Sequence, residues 1–247
     1  MEPQEYEVMD RVEGEMWWYR ALHERAVSLL ARFPGKVALP VLDAGCGTGG
    51  LLARLAVAFP ARPLVGVDVA AEAVLRARRK VPHARLMVGS ICRLPLDRER
   101  FGAVVSCDVL CHRLVEERTA LAELRRVLAP GGTLILNLPA HEWLRSAHDE
   151  RVQNARRYER RPLARLLAEM GFIVREVRHW NTLLLPVMVL RRKVMARRAE
   201  AKSDVALLPP PLEAMFRAVT AVEGLIARAG MPFPAGGSLL AVAERPA

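Results

Sequence analysis

The 247-residue chain is 52 % apolar and 26 % charged, with 16 Gly and 17 Pro, which excludes disordered, collagen-like and low-complexity classes and leaves material for a substantial core. Lys and Arg exceed Asp and Glu by ten (37 − 27), yet 33 of the bases are Arg in an Ala-rich chain rather than a cluster on one element, so a nucleic-acid face is not expected. The most apolar stretch, Thr182 to Leu190, is nine residues and contains Pro186, against the roughly 20 that a bilayer-crossing helix needs.

The N-terminus opens on Glu2, Glu5, Glu7 and Asp10 rather than on a basic segment and an apolar run, so no secretory signal is expected and the compartment is read as cytoplasmic. Trp17 to Arg32 has the period of an amphipathic helix. Beyond it, apolar runs of strand length alternate with helical segments, the signature of a parallel sheet covered by helices. Val37 to Asp43 is the first expected strand, followed by a helix over Leu51 to Phe59. Leu64 to Asp68 is the second strand, Glu72 to Lys80 a helix, Arg85 to Val88 and Ala103 to Ser106 the third and fourth strands. Glu116 to Leu128 carries Leu121, Leu124 and Leu128 on one helical face and stops at Pro130-Gly131-Gly132, before a fifth strand over Thr133 to Leu138. A helix over Pro162 to Met170 ends at Gly171, Phe172 to His179 is the sixth strand, and Ser238 to Glu244 a late seventh. Residues 180–237, too long for a plain loop and broken by Pro209-Pro210-Pro211, are expected to hold at least two helices. Placed at the carboxyl edge of such a sheet, they would form a substrate lid. The expected organisation is therefore an N-terminal helical cap over 1–36, a sheet domain over 37–179 and 238–247, and a helical lid over 180–237.

Cys46, Cys92, Cys107 and Cys111 include no CxxC pair and read as free thiols in a reducing compartment. Cys107, Cys111 and His112 have no second ligand cluster, so no metal is expected.

The chemistry begins at Val41-Leu42-Asp43-Ala44-Gly45-Cys46-Gly47-Thr48-Gly49-Gly50, where a strand feeds a glycine-rich turn and then a helix. Residues without side-chain bulk let the backbone bend tightly while a ligand lies against it, which favours a nucleoside cofactor. Asp68, at the end of the second strand, is placed to accept hydrogen bonds from both ribose hydroxyls. Gly45, Gly47 and Gly50 also satisfy GxGxxG, the dinucleotide fingerprint, so a nicotinamide-dependent dehydrogenase is the competing enzyme reading. A non-enzymatic binder with a vestigial cofactor fold is a third.

VLDAGCGTG, GVDV and RRVLAPGGTLIL together resemble the class I S-adenosylmethionine-dependent methyltransferases, in particular the type 11 group, over roughly residues 39–139. The resemblance implies an α/β, Rossmann-like sheet of seven mostly parallel strands with helices on both faces, and S-adenosyl-L-methionine as the cofactor. It implies that Asp43, Gly45, Cys46 and Gly47 lie beneath the methionine end and that Asp68 and Val69 serve the ribose. Ser90, standing where an aspartate is common, and Ile91 would serve the adenine, and Cys107 and Asp108 would flank the sulfonium. His112 matches a frequent histidine, and Cys111 replaces a more usual acid. Trp17-Trp18-Tyr19, His148-Asp149-Glu150, Arg157-Tyr158, Met170-Gly171-Phe172, Trp180-Asn181-Thr182 and Gly237-Ser238-Leu239-Leu240 look like a bacterial subgroup associated with polysaccharide or secondary-metabolite pathways.

Methyl transfer is an in-line displacement in which the protein holds two atoms in line and excludes water. For a hydroxyl acceptor a positioned base contributes roughly 10² to 10⁴ in rate. The candidates are His112, His148, Asp149 and Tyr158; packing for His112 and helix capping for His148 and Asp149 are the plainer roles. Successive helical residues point about 100° apart, so Trp17, Trp18 and Tyr19 cannot share one core and at least one is expected to face a ligand cleft or a partner, the cleft being favoured, with core packing for at least one Trp. Arg157, within the run Arg156, Arg157, Arg160 and Arg161, and Asn181 are further substrate-side candidates; the run reads either as a clamp for an acidic or phosphorylated small-molecule acceptor or, more plainly, as a solvated helical face. The bases Arg191, Arg192, Lys193, Arg197 and Arg198 follow the apolar Leu183 to Leu190. That order fits either a peripheral element on a membrane surface reaching a lipid-linked acceptor or a packed lid with its bases in water.

Overall fold

The structure, a computed structural model, describes residues 3–193 and 206–247. Its order is α1 (Pro3–Val12), α2 (Trp17–Arg32), β1 (Val41–Ala44), α3 (Gly50–Ala58), β2 (Leu64–Asp68), α4 (Ala71–Lys80), β3 (Arg85–Val88) and β4 (Phe101–Cys107). There follow α5 (Glu117–Val127), β5 (Leu128–Pro139), a 3₁₀ turn (Glu142–Leu144), α6 (Ala147–Arg151), α7 (Arg160–Glu169), β6 (Ile173–Trp180), α8 (Leu185–Lys193), α9 (Pro210–Arg228) and β7 (Ser238–Glu244).

The strands form one seven-stranded sheet in the order β3-β2-β1-β4-β5-β7-β6. β7 runs antiparallel to both neighbours and the other pairs are parallel. Strands covered on both faces need apolar side chains on both, and β1 and β2 are buried at every position. One face packs Leu121, Leu124, Leu163 and Leu167 of α5 and α7 against Leu42, Val104 and Leu136. The other packs Ala26, Leu30, Leu52 and Leu55 of α2 and α3 against Val41, Val105 and Ile135. The carboxyl ends of β1, β2 and β4 thus share one edge, with the glycine turn leaving β1 between them.

Two expectations are corrected. The first strand starts at Val41, not Val37, because Gly35 (φ 58°) and the bond from Leu39 N–H to the Lys36 carbonyl make a turn that leaves Val37 exposed. β5 starts at Leu128, ahead of the Pro-Gly-Gly break, because Leu128 pairs with Phe101 of β4 and the ladder resumes at Thr133 opposite Ala103, the extra residues bulging out of β5. The N-terminal cap contains α1 as well as the expected helix, and α1 buries Tyr6, Met9 and Val12.

The segment between β6 and β7 carries α8 and α9. It is pinned by Glu223, whose buried carboxylate accepts the N–H groups of Asn181 (2.7 Å), Thr182 (2.7 Å) and Leu183 (3.0 Å) and pairs with Arg25 of α2 (3.1 Å). Among the described residues no helix is long and apolar enough to cross a membrane.

Candidate functional site

From β1 the chain turns through Gly45 (φ 90°), Gly47 (φ 51°) and Gly49 (φ 90°) into α3. A side chain at Gly45 would strike Val109, and a Cβ at Gly49 would lie 2.9 Å from Ala77, so conformation and space both demand glycine. Asp68 clasps this turn from the end of β2: Oδ2 accepts the Gly47 N–H (2.8 Å) and Oδ1 the Ala70 N–H (2.9 Å). Burial raises the Asp68 carboxyl above its ordinary range while those amides pull it back. Asp43 is buried with Oδ2 lacking any partner. Burial first, then the charges of Asp68 and Glu13, push its carboxyl up to about 8.

α1 and α2 close over the turn. Glu13 accepts the Thr48 hydroxyl (2.6 Å) and pairs with Lys80, which also pairs with Asp10 (2.5 Å), while Asp10 pairs with Arg76 (3.1 Å). Two acids on one side and two bases of α4 on the other thus fasten the cover. Met9 Cε stands 2.8 Å from where a Gly47 Cβ would be. The buried Tyr6 phenol faces Asp68; burial and then that carboxylate raise its ionisation above the ordinary range. His23 is buried beside Gly50, and burial holds its imidazole down to about 3.

Across the edge, Asp108 follows the end of β4 in the left-handed region (φ 56°), a conformation that costs a non-glycine residue energy and recurs at functional positions. Asn137 Nδ2 donates to Asp108 Oδ2 (2.9 Å), and Trp180 Nε1 donates to Asn137 Oδ1 (2.7 Å). Trp180 is sandwiched between Trp18 (6.2 Å, stacked) and the Arg25 guanidinium (4.6 Å). Burial raises Asp108 to about 7, against the lowering effects of Asn137 and Arg157. Tyr19, at the glycine-turn side of Trp18, is raised by burial and then by the charges of Glu13 and Asp108.

The remaining expected residues divide. Arg157 is bidentate to Asp149 (2.8 and 2.9 Å), with a third bond from Nε (3.1 Å), and it donates to the Ala140 carbonyl (2.9 Å). This pair is buried, and Asp149 also accepts the Ser146 N–H (2.9 Å) in the capping box of α6. Asp149 as a base and Arg157 as a substrate clamp are therefore corrected: each neutralises the other inside the fold. Tyr158 as a base is corrected too, because its buried hydroxyl lies 2.7 Å from Glu117 Oε1 and 3.0 Å from the Leu110 carbonyl, and burial raises its ionisation. Arg156 spends its guanidinium on the His112 and Val115 carbonyls. His112 is half-buried and held down to about 4 by burial, and His148 is half-buried on α6.

Trp17 packs edge-on against Phe216 of α9 (5.3 Å) rather than beside Asp108. Asn181, in the left-handed region (φ 57°), is buried with Oδ1 lacking a partner. Ile91 is in the core, Ser90 and Val69 are exposed, and Cys46 is buried with its thiol raised by burial. Cys111 is buried and bonded to Asn154 (3.1 Å), while Cys107 is half-buried with its thiol raised by burial. Tyr6, Met9, Glu13, Asn137 and Trp180 were not singled out from sequence as site residues. The first three recur at helical spacing, which is the signal that would have found them; Asn137 lies inside an apolar strand and gives none.

Residues 41–132 match the family described as a methyltransferase domain. A trans-aconitate 2-methyltransferase of Azoarcus is 34 % identical over 118 residues, covering 46 % of this chain and 44 % of that protein. A Mycolicibacterium smegmatis protein named a probable S-adenosylmethionine-dependent methyltransferase is 30 % identical over 165 residues, covering 66 % of this chain and 62 % of that protein. The chain thus spans about half the length of the curated relatives it matches. In solved structures, the methyltransferase chain of a Haloferax volcanii complex with the Trm112 methyltransferase activator superposes with a TM-score of 0.64 at 20 % identity, covering 99 % of this chain and 95 % of that one. That likeness is one of fold.

Proposed function

Residues 41–132 form a class I S-adenosylmethionine-dependent methyltransferase domain, and from that premise we propose that the chain transfers a methyl group to a small-molecule acceptor at oxygen. The observation that carries this reading is the Asp43 carboxylate, buried with an unpartnered oxygen beside a glycine turn that Asp68 clasps. A buried acid without a partner is costly, and a cationic ligand removes that cost. The donor set fits: Asp43 and the glycine turn would hold the methionine end, Asp68 the ribose, and Ser90 and Ile91 the adenine. When bound, the cofactor supplies an electrophilic methyl group on a cationic sulfur.

Asp43, Asp68 and Asp108 crowd this edge, and a cationic ligand would favour in each the ionised form that burial holds back. Of the protein's own groups, Asp108 is best matched to accept a proton from a hydroxyl, since its carboxyl titrates near neutrality and Asn137 fixes its orientation. His112, neutral because buried, is the second candidate. Asp149, Arg157 and Tyr158 act as positioning residues for the loops after β4 and β5. Trp18, Tyr19 and Asn181 would line the acceptor side, with α8 and α9 above it as a lid. The trans-aconitate 2-methyltransferases among the relatives support a small, acidic acceptor.

The test is calorimetric titration with S-adenosylhomocysteine. Binding in the micromolar range is expected, with Asp68→Ala weakening it at least about tenfold while far-ultraviolet circular dichroism is retained. Absence of binding by the wild-type chain, or of a response to Asp68→Ala, overturns the reading. With binding in hand, acceptors are screened for the mass gain of one methyl group.

A further inference from the structure

Helix α9 is turned inside out. Its charged residues are Glu213, Arg217, Glu223 and Arg228; both acids are buried and both bases are exposed. The acids face inward because they do structural work: Glu213 accepts the N–H groups of Trp17 (2.8 Å) and Leu208 (2.9 Å), and Glu223 those at the start of the insertion together with Arg25. With polar groups holding the inner face, the apolar residues face out. Leu212, Met215, Val222 and Leu225 are 41, 48, 49 and 59 % exposed. Met215, Ala218, Val222 and Leu225 recur at intervals of three and four, so they form one continuous stripe along the helix. Ordinary amphipathic helices of a globular domain do the opposite, and a contiguous apolar stripe left in water marks an interaction surface.

We propose that this outer face of α9 docks the protein on an anionic lipid bilayer. The choice of occupant rests on charge. Every exposed charge on α9 is positive, the acids having been withdrawn into the fold, and the chain carries a surplus of ten positive charges. An apolar stripe with bases at its margins and no acids is the pattern by which a helix lies in the headgroup region, its side chains entering the acyl boundary and its guanidinium groups meeting lipid phosphates. A second copy would set Arg217 and Arg228 against the same bases under like net charge, which opposes association. Leu183, on the loop before α8, and Val187 on α8 are also exposed. The contact is with the surface of the bilayer, since no described helix can span it.

This inference does not rest on the methyltransferase reading, and its test separates the two. The full-length protein is sedimented with phosphatidylcholine vesicles containing about a third phosphatidylglycerol, and with vesicles of phosphatidylcholine alone, at physiological ionic strength. Strong partition onto the anionic vesicles and weak partition onto the neutral ones are expected. The double variant Val222→Glu/Leu225→Glu should weaken partition at least about tenfold, and Arg217→Gln/Arg228→Gln should remove most of its salt dependence. Both variants alter outward-facing positions, so unchanged thermal unfolding and S-adenosylhomocysteine binding serve as folding controls. The proposal is overturned if the wild-type protein stays in solution, or if the glutamate variant sediments as well as wild type. It is equally overturned if light scattering shows a dimer that the glutamate variant dissolves while no vesicle binding occurs, which would make a second copy the occupant.

Discussion

Asp43 is the third residue of a strand buried at every position, and one of its oxygens has no partner. Burial therefore pushes its carboxyl up to about 8, far above the ordinary carboxylate range of about 4. A cationic ligand favours the ionised form, so binding must expel that proton wherever the free protein carries it. Affinity for S-adenosylmethionine should accordingly rise with pH from about 6 to 8 and level off above, with up to one proton released per site in the acid part of that range. Titrations in two buffers of different ionisation enthalpy measure the release. Asp43→Asn should flatten the profile and abolish the proton release, whereas a wild-type affinity independent of pH would remove Asp43 from the site.

At the level of elements, α1 covers the glycine turn rather than shaping it. Its attachments are Met9 over Gly47, Tyr6 against Asp68, and the ion pairs of Asp10 and Glu13 with α4. A ligand taking the Asp68 carboxylate displaces the Tyr6 phenol, so opening of α1 precedes or accompanies binding. Met9→Ala trims the contact above Gly47 and should increase the association rate of S-adenosylhomocysteine several-fold in stopped flow, at a cost of about 1–2 kcal/mol in unfolding free energy for a partly compensated cavity. The insertion is fastened differently, through a buried charge. Glu223→Ala leaves the Arg25 guanidinium and three N–H groups without their acceptor, and breaking a buried pair on one side costs about 3–5 kcal/mol. Denaturant unfolding should show that loss, and Glu223→Gln, which keeps one acceptor oxygen, should recover part of it.

Over the whole molecule, legibility follows local patterning. β2 has the bounds read from sequence because all five of its residues are buried and all but Asp68 are apolar, and the sheet with its glycine turn is equally plain. What sequence could not show is side-chain partnership between distant segments: Asp149 looks like a base until Arg157, eight positions on, is seen folded back upon it. The Asp108–Asn137–Trp180 chain joins three strands. The same distant partnerships govern the response of the fold to pH. Asp43, Asp68 and Asp108 are raised, to about 8 for Asp43 and about 7 for Asp108, so the folded chain binds more protons at these sites than the unfolded chain above about pH 4. His23, His112 and His179 are lowered by burial, so below about 6.5 the unfolded chain binds more protons at those. Between about 4 and 6.5 the two sets oppose each other, and stability should be nearly flat. Above about 6.5 the histidine contribution fades and the acids come to dominate, so stability should fall by about 1–3 kcal/mol as the pH rises from 6.5 to 8.5. Thermal unfolding across that range measures the fall. Asp43→Asn should remove the larger share of it, and saturating S-adenosylmethionine should do the same by stabilising the carboxylates in the folded state. A ligand-free protein that gains stability from pH 6.5 to 8.5 would place these acids outside a buried, negatively charged edge.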